Sequence, residues 1–264
     1  MLITLLTDFG YKDPFVGIMK GTILNINPSA LIVDITHGIP PHNVMEAALA
    51  LEESYGYFPQ KSIHVVVVDP EVGSGRRPIL VQADDCYFIG PDNGVFTPVF
   101  DAGAETLDVI HLTAEHYFLP KKGNTFHGRD VFAPVAAWLS RGISVENMGE
   151  RITDYMTIKI PKAQSKDDRV EGEVISIDRF GNAITNIRQL EIDGLYIINP
   201  MGGIEITAAG ATAALRNHYS EAKENVLSGV INSSGRLELF LYKGNASAAF
   251  NMKAGDPVAV RLAV

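Results

Sequence analysis

A single cysteine, Cys86, in 264 residues leaves no partner for an internal disulfide and excludes a cysteine-rich metal centre. Its expected role is that of a small buried hydrophobe. Basic residues are also short: 22 Lys and Arg stand against 31 Asp and Glu, a net charge of -9. That balance argues against a nucleic-acid backbone as partner, which needs clustered cations, and would suit a cationic small molecule. No uninterrupted apolar segment reaches the roughly 18 residues that span a bilayer. The opening run, residues 1–6, is too short for a signal peptide, lacks a basic flank and meets Asp8 at once, so the expected location is the cytoplasm. Phosphate-binding signatures are missing too. There is no GxxxxGK, and Gly73-Ser74-Gly75-Arg76 lacks the third glycine of a dinucleotide fingerprint. A nucleotide-like ligand would be held without a phosphate. No internal repeat or low-complexity tract is found.

What is present reads as a globular enzyme, with 46% hydrophobic and 20% charged residues and a length that suggests about two domains. The centre of the pattern is Ile63-His64-Val65-Val66-Val67-Val68-Asp69-Pro70, too apolar to face water on either side, and so a doubly covered strand of a parallel sheet. Before it, residues 2–7 form a strand ending at Asp8-Phe9-Gly10. Asp13-Pro14 opens a helix with Asp13 as its cap and Pro14 in the first turn. Residues 30–35 form a second strand, and Asn43 with Glu46 makes a capping box for a helix to about Tyr57. This β-α-β-α-β order predicts an N-terminal α/β domain with a mostly parallel central sheet. Residues 79–89 read as a hairpin around Asp84-Asp85, residues 95–100 as a short helix, 108–112 as a strand, and 131–139 as an apolar helix that Asp130 could cap.

Lys162 to Arg169 has one apolar member in eight and reads as a linker or exposed domain junction. The predicted division is 1–162 and 170–264. Beyond it come short strands at 174–177, 183–187, 195–198, 204–207, 237–242 and 258–264. The turn signals between them are Gly181-Asn182, Asp193-Gly194, Gly202-Gly203, Ser234-Gly235 and Gly244-Asn245. That pattern suggests a smaller C-terminal all-β, barrel-like domain.

In open α/β sheets, ligands sit beyond the carboxyl ends of the strands. Asp8 and Asp69 both fall at such ends, and Arg76 follows Asp69 across a Gly/Ser loop, close enough to fold back as an ion pair. A structural salt bridge is the bland reading; a catalytic pair is the sharp one. Asp8 has no local structural excuse, and a carboxylate suits a ribose diol or an ammonium group. Asp13 is explained as a helix cap. His127, at a loop-helix junction, joins the same sheet edge, and Asp, Arg and His together can hold and polarise a water. His37, His42 and His64 lack a strong third ligand, so they read as satisfied loop and core histidines and no metal is expected. Asn182 is either a turn residue or a contact for an adenine edge or an amino-acid head group. Ser233-Ser234-Gly235 and Gly244-Asn245-Ala246 are equally ambiguous turns.

Five motifs in order then carry a resemblance over nearly the whole chain. They are Leu6-Thr7-Asp8-Phe9-Gly10, Val68-Asp69-Pro70 with Gly73 and Arg76, Pro91-Asp92-Asn93-Gly94, Phe126-His127-Gly128-Arg129-Asp130, and Asp178-Arg179-Phe180-Gly181-Asn182. Together they resemble the S-adenosylmethionine (SAM) hydroxide adenosyltransferases, relatives of the fluorinase and chlorinase enzymes. The resemblance implies an α/β domain followed by a smaller β-barrel. It also implies a homotrimer with SAM, the substrate, bound between subunits, and no separate cofactor. It implies hydrolysis of SAM to adenosine and L-methionine by an Asp-Arg-His set, which falls on Asp69, Arg76 and His127. Asp8 would hold the ribose hydroxyls, and Asp13, Asp178 and Asn182 would meet the methionine end. Ser233, Ser234 and the strand through Glu238 and Tyr242 would approach adenine. The fluorinase pattern has tyrosines where Asp69 and His127 stand and a serine where Gly128 stands, which points here to water as nucleophile. Halide chemistry and a nonenzymatic SAM or adenosine sensor are the alternatives.

Overall fold

The computed structural model describes residues 1–120, 123–166, 168–198 and 203–262. It contains two compact units, Met1–Lys159 and Ile160–Val264. Unit 1 runs β1 (Leu2–Thr7), α1 (Phe15–Ile26), β2 (Leu31–Thr36), α2 (Val44–Ser54), β3 (Ile63–Val67), β4 (Pro78–Ala83), β5 (Cys86–Pro91), α3 (Thr97–Asp101), β6 (Leu107–Leu112), α4 (Ala133–Ser140) and β7 (Gly149–Arg151). Its seven-stranded sheet has the order β2-β1-β3-β5-β4-β6-β7. The strands β2, β1, β3 and β5 run parallel, and β4, β6 and β7 add an antiparallel flank.

The valine strand is central because both its faces are covered. Val65 and Val67 pack with Ile3, Leu5, Met19, Ile23 and Val135 on one side. Val66 and Val68 pack with Leu6, Ala47, Leu51, Phe88 and Phe96 on the other. Each valine is at most 3% exposed, and burying one contributes about 1.5–3 kcal/mol. Asn43 caps α2 as expected, Glu46 N–H donating to Asn43 Oδ1 at 3.0 Å. The reciprocal half of the box is replaced: Asn43 Nδ2, not its backbone N–H, donates to Glu46 Oε2 at 3.2 Å, and the backbone N–H donates to Pro40 O.

Two expected caps do not form. The helix α1 begins one residue later than the sequence suggests: Pro14 is the N-cap, its carbonyl accepting from Ile18 N–H at 2.9 Å. Asp13 therefore sits one position too early to reach the first free N–H groups. Before α4, residues Gly128–Phe132 form a π-helical turn, and Asp130 lies inside it with both carboxylate oxygens taken by Arg129, at 2.7 and 2.9 Å.

Unit 2 contains β8 (Gln164–Lys166), β9 (Arg169–Ile177), β10 (Ala183–Arg188), α5 (Gln189–Ile198), β11 (Ile204–Ala208), β12 (Ala211–Arg216), β13 (Ser228–Ile231), β14 (Arg236–Phe240), α6 (Ala246–Phe250) and β15 (Pro257–Leu262). The pairing β9-β10-β14-β13-β12-β11-β15 returns to β9, closing a seven-stranded barrel, with β8 paired to the start of β9. Residues 195–198 are not a strand, and Asp193-Gly194 is not a turn: both lie in α5. Ile192 and Leu195, three apart, are each 2% exposed and bury one face of that helix, and Glu191 accepts from Arg188 N–H at its start. Gly202 of the expected Gly202-Gly203 turn, and the last two residues of the expected 258–264 strand, lie outside the described residues.

His64 sits in the middle of β3, fully buried, its Nδ1 2.8 Å from Thr4 Oγ1 and its ring stacked on Phe88 at 5.1 Å. Burial lowers its pKa to about 4. The unfolded chain then binds more protons than the folded one between the ordinary value of 6.5 and about pH 4, so stability falls as pH drops through that window. Relative to His64→Gln, the wild-type protein is expected to lose about 3 kcal/mol more on acidification from pH 6.5 to 4, read by denaturant unfolding at each pH.

Candidate active site

Register brings the first two acidic residues together. The strands β1 and β3 are neighbours with Thr7 opposite Val67, so Asp8 and Asp69 leave the same edge of the sheet one and two residues later. After Asp69 the chain reverses through short turns: Val72 N–H donates to Asp69 O, Ser74 N–H to Glu71 O, and Arg76 N–H to Ser74 Oγ. This returns the Arg76 guanidinium to the carboxylate. Arg76 Nε donates to Asp69 Oδ1 at 2.9 Å, and Nη2 donates to Asp69 Oδ2. The side chains are 4% and 5% exposed.

The second hydrogen of Arg76 Nη2 reaches His127 Nδ1 at 2.8 Å. A guanidinium only donates, so Nδ1 accepts and the ring proton resides on Nε2. The guanidinium carbon lies 5.4 Å from the Phe132 ring centroid, placing the cation over an aromatic face supplied by the π-helical turn. Arg76 Nη1 is buried and makes no hydrogen bond among the described residues.

A pocket of about 280 Å³ opens at this sheet edge. Asp8, Asp69, His42 and His127 are its acidic and basic lining, and Phe9, Phe15 and Phe126 pack into an aromatic wall with ring centroids 5.3–5.8 Å apart. Arg76 is not a lining residue; it supports Asp69 and His127 from within. Asp8 Oδ2 accepts from His42 N–H at 2.8 Å. Asp13 is exposed and does not line the pocket.

In the barrel, Asp178 Oδ1 accepts from the N–H groups of Phe180 and Asn182 and shapes the β9–β10 turn. Gly181 in that turn has φ +83°, and a Cβ there would lie 2.1 Å from the Asn245 side chain, so no other residue fits. Asn182 Nδ2 donates to Asp178 Oδ2 at 3.2 Å and to Glu238 Oε1 at 2.9 Å, and Tyr219 OH donates to the same oxygen at 2.8 Å. Burial pushes the Glu238 carboxyl up. Burial and the Glu238 hydrogen bond push the Tyr219 phenol up to about 12. This network joins Asp178, Asn182 and Glu238. Ser233 and Ser234 stay exposed in the β13–β14 turn, and Tyr242 packs with Ala222, Val230 and Phe240. Sequence reasoning missed Tyr219, which opens a short 3-10 turn without a motif, and the aromatic wall, in which Phe126 lies more than a hundred residues from Phe9 and Phe15. Among the described residues, no three His, Cys, Asp or Glu side chains are grouped as metal ligands.

Residues 3–149 match the SAM hydroxide adenosyltransferase N-terminal domain, and residues 172–259 match the C-terminal domain. The chain belongs to the SAM hydroxide adenosyltransferase family. Within it, the chain is 38% identical to an (R)-S-adenosyl-L-methionine hydrolase of Methanocaldococcus jannaschii, across 98% of this chain and 95% of the relative. A fluorinase of Nocardia brasiliensis is 25% identical across 99% of this chain and 97% of its own. The crystal structure of an uncharacterized conserved protein from Thermotoga maritima superposes with a TM-score of 0.90, at 34% identity, covering 99% of this chain and all of that one. This SAM hydroxide adenosyltransferase chain thus carries its Asp-Arg-His cluster inside the part matched by the N-terminal domain.

Gly73 is where the two halves of that cluster meet. It has φ +84°, and a Cβ would stand 2.7 Å from the carbonyl oxygen of Asn124, three residues before His127. Gly73→Ala is expected to cost about 1–3 kcal/mol of local strain and to part the Arg76–His127 contact. The measurement is turnover beside global stability: activity should fall more than tenfold while the melting temperature moves by only a few degrees.

Proposed function

We propose that the protein hydrolyses S-adenosyl-L-methionine to adenosine and L-methionine. The observation that carries this reading is the Asp69–Arg76–His127 cluster, built on a buried Asp69–Arg76 pair, beside a pocket lined by Asp8, Asp69 and His127. The (R)-S-adenosyl-L-methionine hydrolases among its relatives support it.

In this reading Asp8 receives the ribose hydroxyls, which a carboxylate can accept in pairs. Water attacks C5′ in line with the departing sulfur. The C5′–O bond forms, the C5′–S bond breaks, and its electron pair stays on sulfur, leaving methionine as a neutral thioether. Because positive charge disappears from sulfur along the way, the aromatic wall of Phe9, Phe15 and Phe126 favours the reaction by keeping the site poor in water. His127, with Nδ1 occupied by Arg76, offers Nε2–H as a donor and orients the water. The proton released from the water goes to Asp69, whose carboxylate lines the pocket. Arg76 acts by holding both partners in place, and alignment of this kind can supply several kcal/mol. Asp178, Asn182 and Glu238 enter the proposal as substrate-binding groups, supported by their shared hydrogen bonds.

The proposal includes a cytoplasmic homotrimer. A lone, unpaired Cys86 suits a reducing compartment. Ile18 and Leu24 on α1 and Leu31 on the edge strand β2 are exposed apolar residues of the kind that subunit contacts cover. Light scattering should give three times the 28.7 kDa chain mass, and a monomer would refute the trimer.

Chromatography of reactions with both sulfonium epimers of SAM tests the activity. Adenosine and methionine should appear in equal amounts, and Asp69→Asn should lower kcat about 10²–10⁴-fold. A halogenated nucleoside in the presence of chloride or fluoride would favour the fluorinase-like reading, and tight binding without products would favour a sensor.

A further inference from the structure

The Asp8 carboxylate is held by a device buried behind it. His37 follows directly on β2, and its side chain is fully buried. Its Nδ1 stands 2.8 Å from Thr7 Oγ1, in the residue before Asp8. Thr7 Oγ1 also accepts from Phe9 N–H at 3.2 Å, in the residue after Asp8. Thr7 Oγ1 and His37 Nδ1 thus share one buried hydrogen bond, which ties the ring to the residue before Asp8. Nε2 is 3.1 Å from Asp34 Oδ1, within reach but without the geometry of a hydrogen bond. Asp34 in turn is paired with Lys20 of α1 at 2.7 Å. The backbone of His37 adds a third tie, its carbonyl accepting from Gly10 N–H at 2.8 Å. The loop that His37 opens ends at His42, whose N–H donates to Asp8 Oδ2.

Both routes to Asp8 therefore start from one residue: its ring, through Thr7, ties the strand that carries Asp8, and its backbone opens residues 37–42, which end at the N–H that orients the carboxylate. We propose that His37 is a positioning residue that presets the Asp8 carboxylate for the ribose hydroxyls, with Asp34 and Lys20 fixing the ring. This rests on the reading of Asp8 given under the proposed function. The ring does not line the pocket, so it acts through Asp8 and not on the reacting atoms.

The test separates ribose recognition from general damage. Wild-type protein should bind adenosine more tightly than 2′-deoxyadenosine, read as competitive inhibition or by calorimetry. In His37→Ala that preference should shrink toward one and the KM for SAM should rise about tenfold, with kcat changed less than about threefold. His37→Asn, whose amide reaches the position of Nδ1, should recover part of both. Asp34→Asn, at a half-buried surface position, should show the same split more weakly and serves if His37→Ala fails to fold. A folded His37→Ala with wild-type KM and wild-type preference overturns the proposal, as does a fall in kcat with the preference intact or a wild-type protein with no ribose preference. A wild-type chain that prefers adenosine but does not turn over SAM overturns the hydrolase reading alone, and calorimetry still reads His37.

Discussion

One guanidinium holds the site together. Arg76 is almost wholly buried, and a charge in that position is costly unless it is paired and its hydrogens are satisfied. Asp69 takes Nε and one hydrogen of Nη2 in a two-point fork, and His127 takes the other. Phe132 lies across the face of the group. Removing any of these leaves a buried cation short of partners, so the loop after β3, the loop before the π-helical turn and the start of α4 are held to one geometry. Gly73 shows how tight that constraint is: the loop that brings Arg76 back passes too near Asn124 to carry a side chain there.

The parallel part of the sheet explains why this cluster meets the pocket. Neighbouring parallel strands end on the same side, so β1, β2 and β3 deliver Asp8, His37 and Asp69 to one edge in spite of their separation in sequence. The covering elements finish the enclosure. The first turn of α1 supplies Phe15, and the segment before α4 supplies Phe126, so the wall that lowers local polarity is built from the same elements that bury the valine strand.

Unit 1 was legible where long-range order coincides with local pattern. A run of four valines can only be a doubly covered strand, and acidic residues after β1 and β3 stand out because nothing local needs them. Asp13 and Asp130 show the limit. Each looks like a cap by spacing, yet a one-residue shift of the α1 start and the π-helical turn before α4 redirect both. The barrel was harder. Leu195 to Ile198 is rich in strand formers, and only the packing of Ile192 and Leu195 on one face makes it helical. The strand β12 is half alanine and β13 is only four residues long, so neither gives a periodic signal, but closure of the barrel pairs them. Tyr219 joins Glu238 and Asn182 by a contact from a short 3-10 turn to strand β14, which no spacing rule encodes.

The same fork bears on how one frame could serve two nucleophiles. Asp69 both lines the pocket and neutralises Arg76. If a neutral side chain stood at position 69, a guanidinium at position 76 would lose the carboxylate that pairs it, while among the described residues Nη1 already lacks a partner. A buried, unneutralised cation next to a small pocket attracts an anion and no longer offers a base for a water proton. With Asp69 in place the balance reverses: the carboxylate neutralises the cation, and under the proposed function it disfavours a halide and leaves a neutral water as the occupant. In the proposed hydrolysis the choice of nucleophile follows from where the negative charge resides, on the protein beside Arg76 or on the incoming ion.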